Sequence, residues 1–189
     1  MGRRSVLIAA ALMFCSAAYA QQMKGMQQSG QKMKAEPMAQ ITKAIAVLYG
    51  APNSQLHGVV TFEKTEEGIK IVADVTGLTP GKHGFHIHEF GDCSSGDYTS
   101  AGSHFMIPGE SHGGPTDQHR HKGDMGNLEA DSTGHAHLEW VDSSISLSGP
   151  NSVLGRSVVV HEKEDDFKTQ PTGNAGARIA CGTIGIAKP

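Results

Sequence analysis

The sequence predicts an all-β fold, an eight-stranded antiparallel Greek-key barrel or sandwich with two long functional loops. Three observations carry this expectation. The chain's 24 glycines and 8 prolines suit frequent turns between short strands better than a helical bundle. Apolar residues recur in short runs bounded by turn signals, with no amphipathic helix longer than a turn or two. Two polar stretches interrupt these runs, and loops of that length inside a compact domain are usually functional.

Taken in order, Ile41 to Tyr49 is a near-continuous apolar strand. Gly58 to Glu63 and Ile69 to Val75 are strands joined by a turn at Glu66-Glu67-Gly68. Thr79-Pro80-Gly81 is a turn signal before the strand Gly84 to Glu89. A Gly/Ser-rich loop runs from Gly91 to about Arg120. Strands follow at Asp124 to Ala130 and His135 to Val141, with Asp131-Ser132-Thr133-Gly134 as a hairpin turn, and then at Ser157 to His161. Glu162 to Ala177 is the second polar loop, and Arg178 to Ile186 is the closing strand. Aromatics are only 5% of the chain, so the core rests on Val, Ile, Leu and Ala.

The 41–189 domain is preceded by two segments of different character. Residues 1–20 read as a secretory signal, with Arg3-Arg4 as the positive region, Val6 to Phe14 as the apolar region and Ala18-Tyr19-Ala20 as a small-x-small cleavage site. The apolar stretch is too short for a comfortable membrane span. A lipid attachment at Cys15 is opposed by the bulky Phe14 before it. Residues 21–40 are rich in Gln, Lys, Gly and Met without apolar periodicity, as a mobile tail is. Met23, Met26, Met33 and Met38 are soft donors suited to Cu(I), although a polar tether that happens to contain Met is the plainer reading.

Cleavage after Ala20 removes two cations and no acids, taking the formal net charge from −3 to −5. A mildly acidic protein of this kind is not expected to bind nucleic acid. Cleavage also leaves two cysteines, Cys93 and Cys181. An even pair in an exported protein suggests one disulfide, with two buried free thiols as the alternative. A bridge across roughly ninety residues would stabilise by about 4–5 kcal/mol on the chain-entropy account.

Eleven histidines are many for this length, and neutral imidazole is the commonest metal ligand near physiological pH. His86-Ile87-His88 lies in an expected strand, where positions i and i+2 share a face, so both rings can approach one ion. His104, His112, His121 and Asp124 follow at loop distances, and three imidazoles with one carboxylate make a plausible zinc shell. His161 ends a later strand, just before an acidic run. His135-Ala136-His137 has the same H-x-H spacing but no acidic or histidine company in the sequence, and reads as a solvated face.

The segments Gly84-Phe85-His86-Ile87-His88-Glu89, Gly102-Ser103-His104-Phe105, His112-Gly113-Gly114-Pro115, Gly123-Asp124-Met125-Gly126-Asn127, Val159-Val160-His161-Glu162-Lys163 and Gly173 through Gly182 resemble the copper,zinc superoxide dismutases. The likeness spans about Ile41 to Ala187 and is densest after Pro80. The leader and the Gly91-Asp92-Cys93-Ser94 segment look most like the bacterial envelope branch, which implies the periplasm of a Gram-negative bacterium.

The resemblance implies copper on His86, His88, His104 and His161, and Zn2+ on His104, His112, His121 and Asp124, with His104 as the shared bridge. It implies that Asp165 hydrogen-bonds and orients one histidine of each metal, and that Cys93 and Cys181 form the family's disulfide. Arg178 corresponds to the cation beside the open copper face, where it would attract superoxide; a structural arginine bonding loop carbonyls is the other role open to it. Pro171 stands where animal members carry lysine, which leaves Lys163 and Lys168 both open as steering cations. The activity implied is the conversion of two superoxide anions and two protons to O2 and hydrogen peroxide by Cu(II)/Cu(I) cycling, with His104 and Arg178 as the catalytic residues. An envelope carrier of copper or zinc without turnover would use the same ligands. Monomer and homodimer both stay open.

Overall fold

The computed structural model describes residues 40–188. The expected leader, and the tail up to residue 39, lie outside the described residues. Eight strands follow one another: β1 (Lys43–Gly50), β2 (His57–Lys64), β3 (Ile69–Thr76), β4 (Gly81–His88), β5 (Asp124–Ala130), β6 (Ala136–Asp142), β7 (Ser157–His161) and β8 (Arg178–Ile186), with a 3-10 turn at Thr99–Ala101 between β4 and β5. Boundaries differ from the sequence expectation by one to three residues at several ends, as is usual for element termini.

The strands form one sheet in the order β5-β4-β7-β8-β1-β2-β3-β6, and every ladder is antiparallel. The crossings from β4 to β7 and from β8 to β1 make this the expected all-β crossover topology. One local expectation is corrected. Asp131–Gly134 turns tightly, with Gly134 N–H bonding Asp131 O at 3.0 Å, but β5 and β6 do not form a hairpin ladder. They are the two ends of the strand order, so this turn brings the sheet's edges together into a nearly closed barrel.

Alternation places the core. Along β1, Ala44, Ala46 and Leu48 are fully buried while Val47 and Tyr49 face outward, the period-2 signature of a sheet with one face inside. Phe62, Ile71, Val75, Phe85, Ile87, Leu128, Val160 and Ile184 join them in one apolar cluster. Each large side chain so buried contributes about 1.5–3 kcal/mol.

β4 departs from the alternation, being buried on both faces from His83 to His88. Phe85 and Ile87 enter the core, while His86 and His88 face the other way and are covered by the two long loops. β7 is likewise buried throughout. Val159 packs outside the barrel with Tyr98, Ala101 and Cys181, and Cys93 borders the group. There Cys93 is bonded to Cys181, with a Cα–Cα distance of 5.7 Å. The first loop is thereby tied to β8, directly behind the strands that carry the histidines.

Candidate metal centre

The first loop is held against β4 by backbone bonds. Glu89 N–H donates to Ser103 O and Phe105 N–H to Ile87 O, both at 2.8 Å, and His88 and His104 form an isolated antiparallel bridge. Asp124 opens β5, and its Oδ2 accepts from His121 N–H at 2.9 Å and Gly113 N–H at 3.1 Å. Arg120 secures the same corner, reaching His121 O at 2.9 Å and pairing with the buried Asp142 at 2.8 Å.

Seven side chains converge in two groups: His86, His88, His104 and His161, and then His104, His112, His121 and Asp124. Within each group the donor atoms lie within 4.8 Å of one another, and all seven residues are buried. His104 belongs to both groups, and its ring centroid is 3.9 Å from that of His86.

Hydrogen bonding decides which nitrogen each ring turns inward. His88 Nδ1 faces Gly102 O at 3.0 Å and His161 Nδ1 faces Gly176 O at 3.2 Å. Carbonyls only accept, so both Nδ1 atoms carry the proton and both Nε2 atoms are free. Those two Nε2 atoms face each other at 3.4 Å. His86 turns Nε2 to Asp165 Oδ2 at 2.7 Å, leaving Nδ1 inward. In the second group, Nδ1 of His104, His112 and His121 converge on one atom, Asp124 Oδ1, at 2.8, 3.1 and 3.3 Å.

Among the described residues, the buried imidazole nitrogens without a hydrogen-bond partner are His86 Nδ1, His104 Nε2, His112 Nδ1 and His121 Nδ1. Leaving such atoms unpaired costs about 1–3 kcal/mol each; metal coordination removes that cost, so the donor set fits metal ions. Electrostatics agree. Burial, reinforced by the neighbouring His104, pushes His86 down to about 3. Burial also pushes His161 down to about 4 and holds His88 well below its ordinary value. These rings are therefore neutral, the state that binds metal.

The second group is built around a carboxylate. Burial works to raise Asp124, but the close imidazoles of His104, His112 and His121 outweigh it and hold the carboxyl far below the usual carboxylate range. For His112, burial opposes the proton, yet Asp124 and Asp165 prevail and lift the ring to about 9. A buried carboxylate ringed by imidazoles at these separations is a cation shell in all but the ion.

Asp165, in the second loop, links the groups. Its Oδ2 takes His86 Nε2 at 2.7 Å and its Oδ1 takes His112 Nε2 at 2.8 Å. Asn127 fixes the loop reciprocally, accepting from Asp165 N–H at 2.8 Å and donating to Asp165 O at 3.0 Å. Gly173 leaves the space for this junction, since a Cβ there would sit 1.8 Å from Asp165 Oδ1 and 2.6 Å from His112 Nε2. Asn127 and Gly173 carried no assigned role in the sequence analysis.

Arg178 begins β8 and donates to Tyr98 O at 2.6 Å and Gly102 O at 2.7 Å. It therefore has the carbonyl-binding role that sequence left open. Gly102 O also takes His88 Nδ1, so the guanidinium stands one carbonyl from the first group. The reading of His135 and His137 as lacking acidic company is corrected: Asp74 lies beside both.

Residues 56–184 match the family described as copper/zinc superoxide dismutase. Among similar proteins, a superoxide dismutase [Cu-Zn] of Onchocerca volvulus is 46% identical over 156 residues, covering 77% of this chain and 96% of the relative. An extracellular superoxide dismutase [Cu-Zn] of Brugia pahangi is 43% identical over 153 residues, 76% of each chain. The crystal structure of the clock protein EA4 matches with a TM-score of 0.75 and 43% identity, over 80% of this chain and 99% of that one.

Proposed function

The chain belongs to the copper/zinc superoxide dismutase family, and on that premise we propose which residues hold its metals and what each does. The activity is superoxide dismutation, with superoxide as substrate and copper and zinc as cofactors. We assign copper to His86 Nδ1 and to Nε2 of His88, His104 and His161. Zinc is assigned to Nδ1 of His104, His112 and His121 together with Asp124. The observation that carries this assignment is the set of four inward ring nitrogens left without any hydrogen-bond partner.

Copper, when bound, supplies the one-electron couple that superoxide dismutation needs, and zinc, being d10, supplies a fixed charge beside it. His104 is the one ring that addresses both groups, so it holds or releases a proton at Nε2 while Nδ1 stays engaged beside Asp124. Asp165 fixes the outward nitrogens of His86 and His112, which keeps their inward nitrogens aimed. Arg178 presents positive charge to an anion entering past His88 and His161, and the carbonyls of Tyr98 and Gly102 hold it there. Metal analysis of the purified protein beside a superoxide-consumption assay tests the assignment. One copper and one zinc per chain with turnover is the expected result.

We propose further that the chain is exported by cleavage after Ala20 and acts in the envelope of a Gram-negative bacterium. The charged and apolar leader and the Gly91-Asp92-Cys93-Ser94 segment support this. A relative named extracellular supports export itself. No helix among the described residues is long and apolar enough to cross a membrane. Localisation of the tagged full chain, with the N-terminal residue of the processed form, checks both points.

A homodimer is proposed through the outer face of β1, β2 and β8. Val47, Tyr49, Val59 and Ile186 are exposed there, and Val47 pairs directly with Val59. Sedimentation of the protein and of a Val47→Lys variant tests this contact.

A further inference from the structure

We propose that Asp74, His135 and His137 form a third metal site, an open one for a divalent cation of the zinc type, on the outer face of the barrel. None of the three belongs to the buried groups, and the inference stands apart from their assignment.

β3 and β6 pair with Asp74 directly opposite His137, and His135 precedes His137 by two residues, so all three side chains leave the same face of the sheet. His137 Nδ1 lies 2.8 Å from Asp74 Oδ1, and His135 Nε2 lies 3.7 Å from that same oxygen. Donors around a tetrahedral zinc, at bonds of about 2.0–2.1 Å, stand roughly 3.3 Å apart. The two observed separations straddle that value. The buried zinc group is built on the same plan but is tighter, with three imidazole nitrogens 2.8, 3.1 and 3.3 Å from one oxygen of Asp124.

The surface set differs in two respects that define its behaviour. It is not the tight shell of the buried groups, whose donor atoms all lie within 4.8 Å of one another. Its side chains are also about half exposed, at 57% for Asp74, 44% for His135 and 52% for His137. The rings are therefore free to turn onto an ion, and water completes its coordination, as in three-ligand sites with an open position. Two imidazoles and one carboxylate favour zinc, nickel or Cu(II) over calcium or magnesium, which take oxygen-only shells. Binding at such a site is weaker and more readily reversed than in the buried groups.

The test starts from protein loaded with copper and zinc at the buried groups. Equilibrium dialysis against a zinc series then counts additional zinc per chain. One further zinc is expected in the unaltered protein. It is expected to be lost in the His135→Ala, His137→Ala double variant and in Asp74→Asn, with superoxide consumption unchanged in both. Exposed positions tolerate these changes, and unchanged consumption also reports correct folding. Absence of a further zinc in the unaltered protein, which would leave a plain histidine–aspartate ion pair, overturns the proposal. So does a further zinc that binds the double variant equally well.

Discussion

His86 and Asp165 stand 79 residues apart in the chain, yet His86 Nε2 meets Asp165 Oδ2 at 2.7 Å with both side chains fully buried. The other oxygen of the same carboxylate takes His112 from the second group. One acid in the second loop therefore orients a ring of each metal group. Asp165→Asn keeps a single acceptor oxygen, so only one ring retains its partner. Affinity for copper or zinc, or for both, is expected to fall about 10–100-fold. Competition against a chelator of known affinity measures this for each metal separately.

Gly173 is the spatial condition for that arrangement. Its φ of +67° and the 1.8 Å approach of an added Cβ to Asp165 Oδ1 both exclude a side chain. Gly173→Ala is expected to displace Asp165 and His112, to lower zinc content and to destabilise the fold by more than about 1 kcal/mol. Denaturant unfolding with zinc analysis checks both effects together.

Arg178 has two roles with separable signatures. As a charge it attracts superoxide, and that benefit falls as salt screens it. As a fork it holds the carbonyls of Tyr98 and Gly102. Arg178→Glu is expected to slow consumption about tenfold or more and to reverse the direction of the salt dependence. Arg178→Lys keeps the charge and loses the fork, so its rate drops while its salt dependence keeps the original sign. Rates across an ionic-strength series distinguish the two.

Removing the metals exposes the cost of the site. Four buried ring nitrogens then have no partner, and the stabilisation that comes from binding the folded state alone is lost. The chelator-treated protein is expected to melt at a lower temperature, and zinc alone is expected to restore much of the loss. A calorimetric scan of stripped, zinc-loaded and fully loaded protein measures the sequence.

Cys93 and Cys181 close a span of 88 residues behind β7 and β8. The Cys93→Ser, Cys181→Ser double variant is expected to lose about 2–5 kcal/mol. A shift of the denaturant midpoint with an unchanged slope would show that the loss is one of stability alone.

Much of this was legible along the chain because its signals are local. The near-continuous apolar run from Ile41 to Tyr49 placed β1, and the i, i+2 spacing of His86 and His88 put two rings on one face. What escaped depends on contacts across the fold. Asp74 meets His137 only through the β3–β6 ladder, 63 residues apart, so the sequence shows His135 and His137 as isolated. The turn at Asp131–Gly134 has hairpin chemistry, but whether it joins paired strands or opposite sheet edges is decided by the other six strands. Gly173 looks like any loop glycine until Asp165 and His112 are packed against it.

The central claim is that His86, His88, His104 and His161 hold copper while His104, His112, His121 and Asp124 hold zinc in a catalyst of superoxide dismutation. It is tested most directly by superoxide consumption of metal-loaded protein, measured beside its His161→Ala variant with the metal content of each. The account predicts turnover with one copper and one zinc per chain at the buried groups, and a variant that keeps its buried zinc but consumes no superoxide. Metal-replete protein no more active than buffer, or a fully active His161→Ala variant, would contradict it.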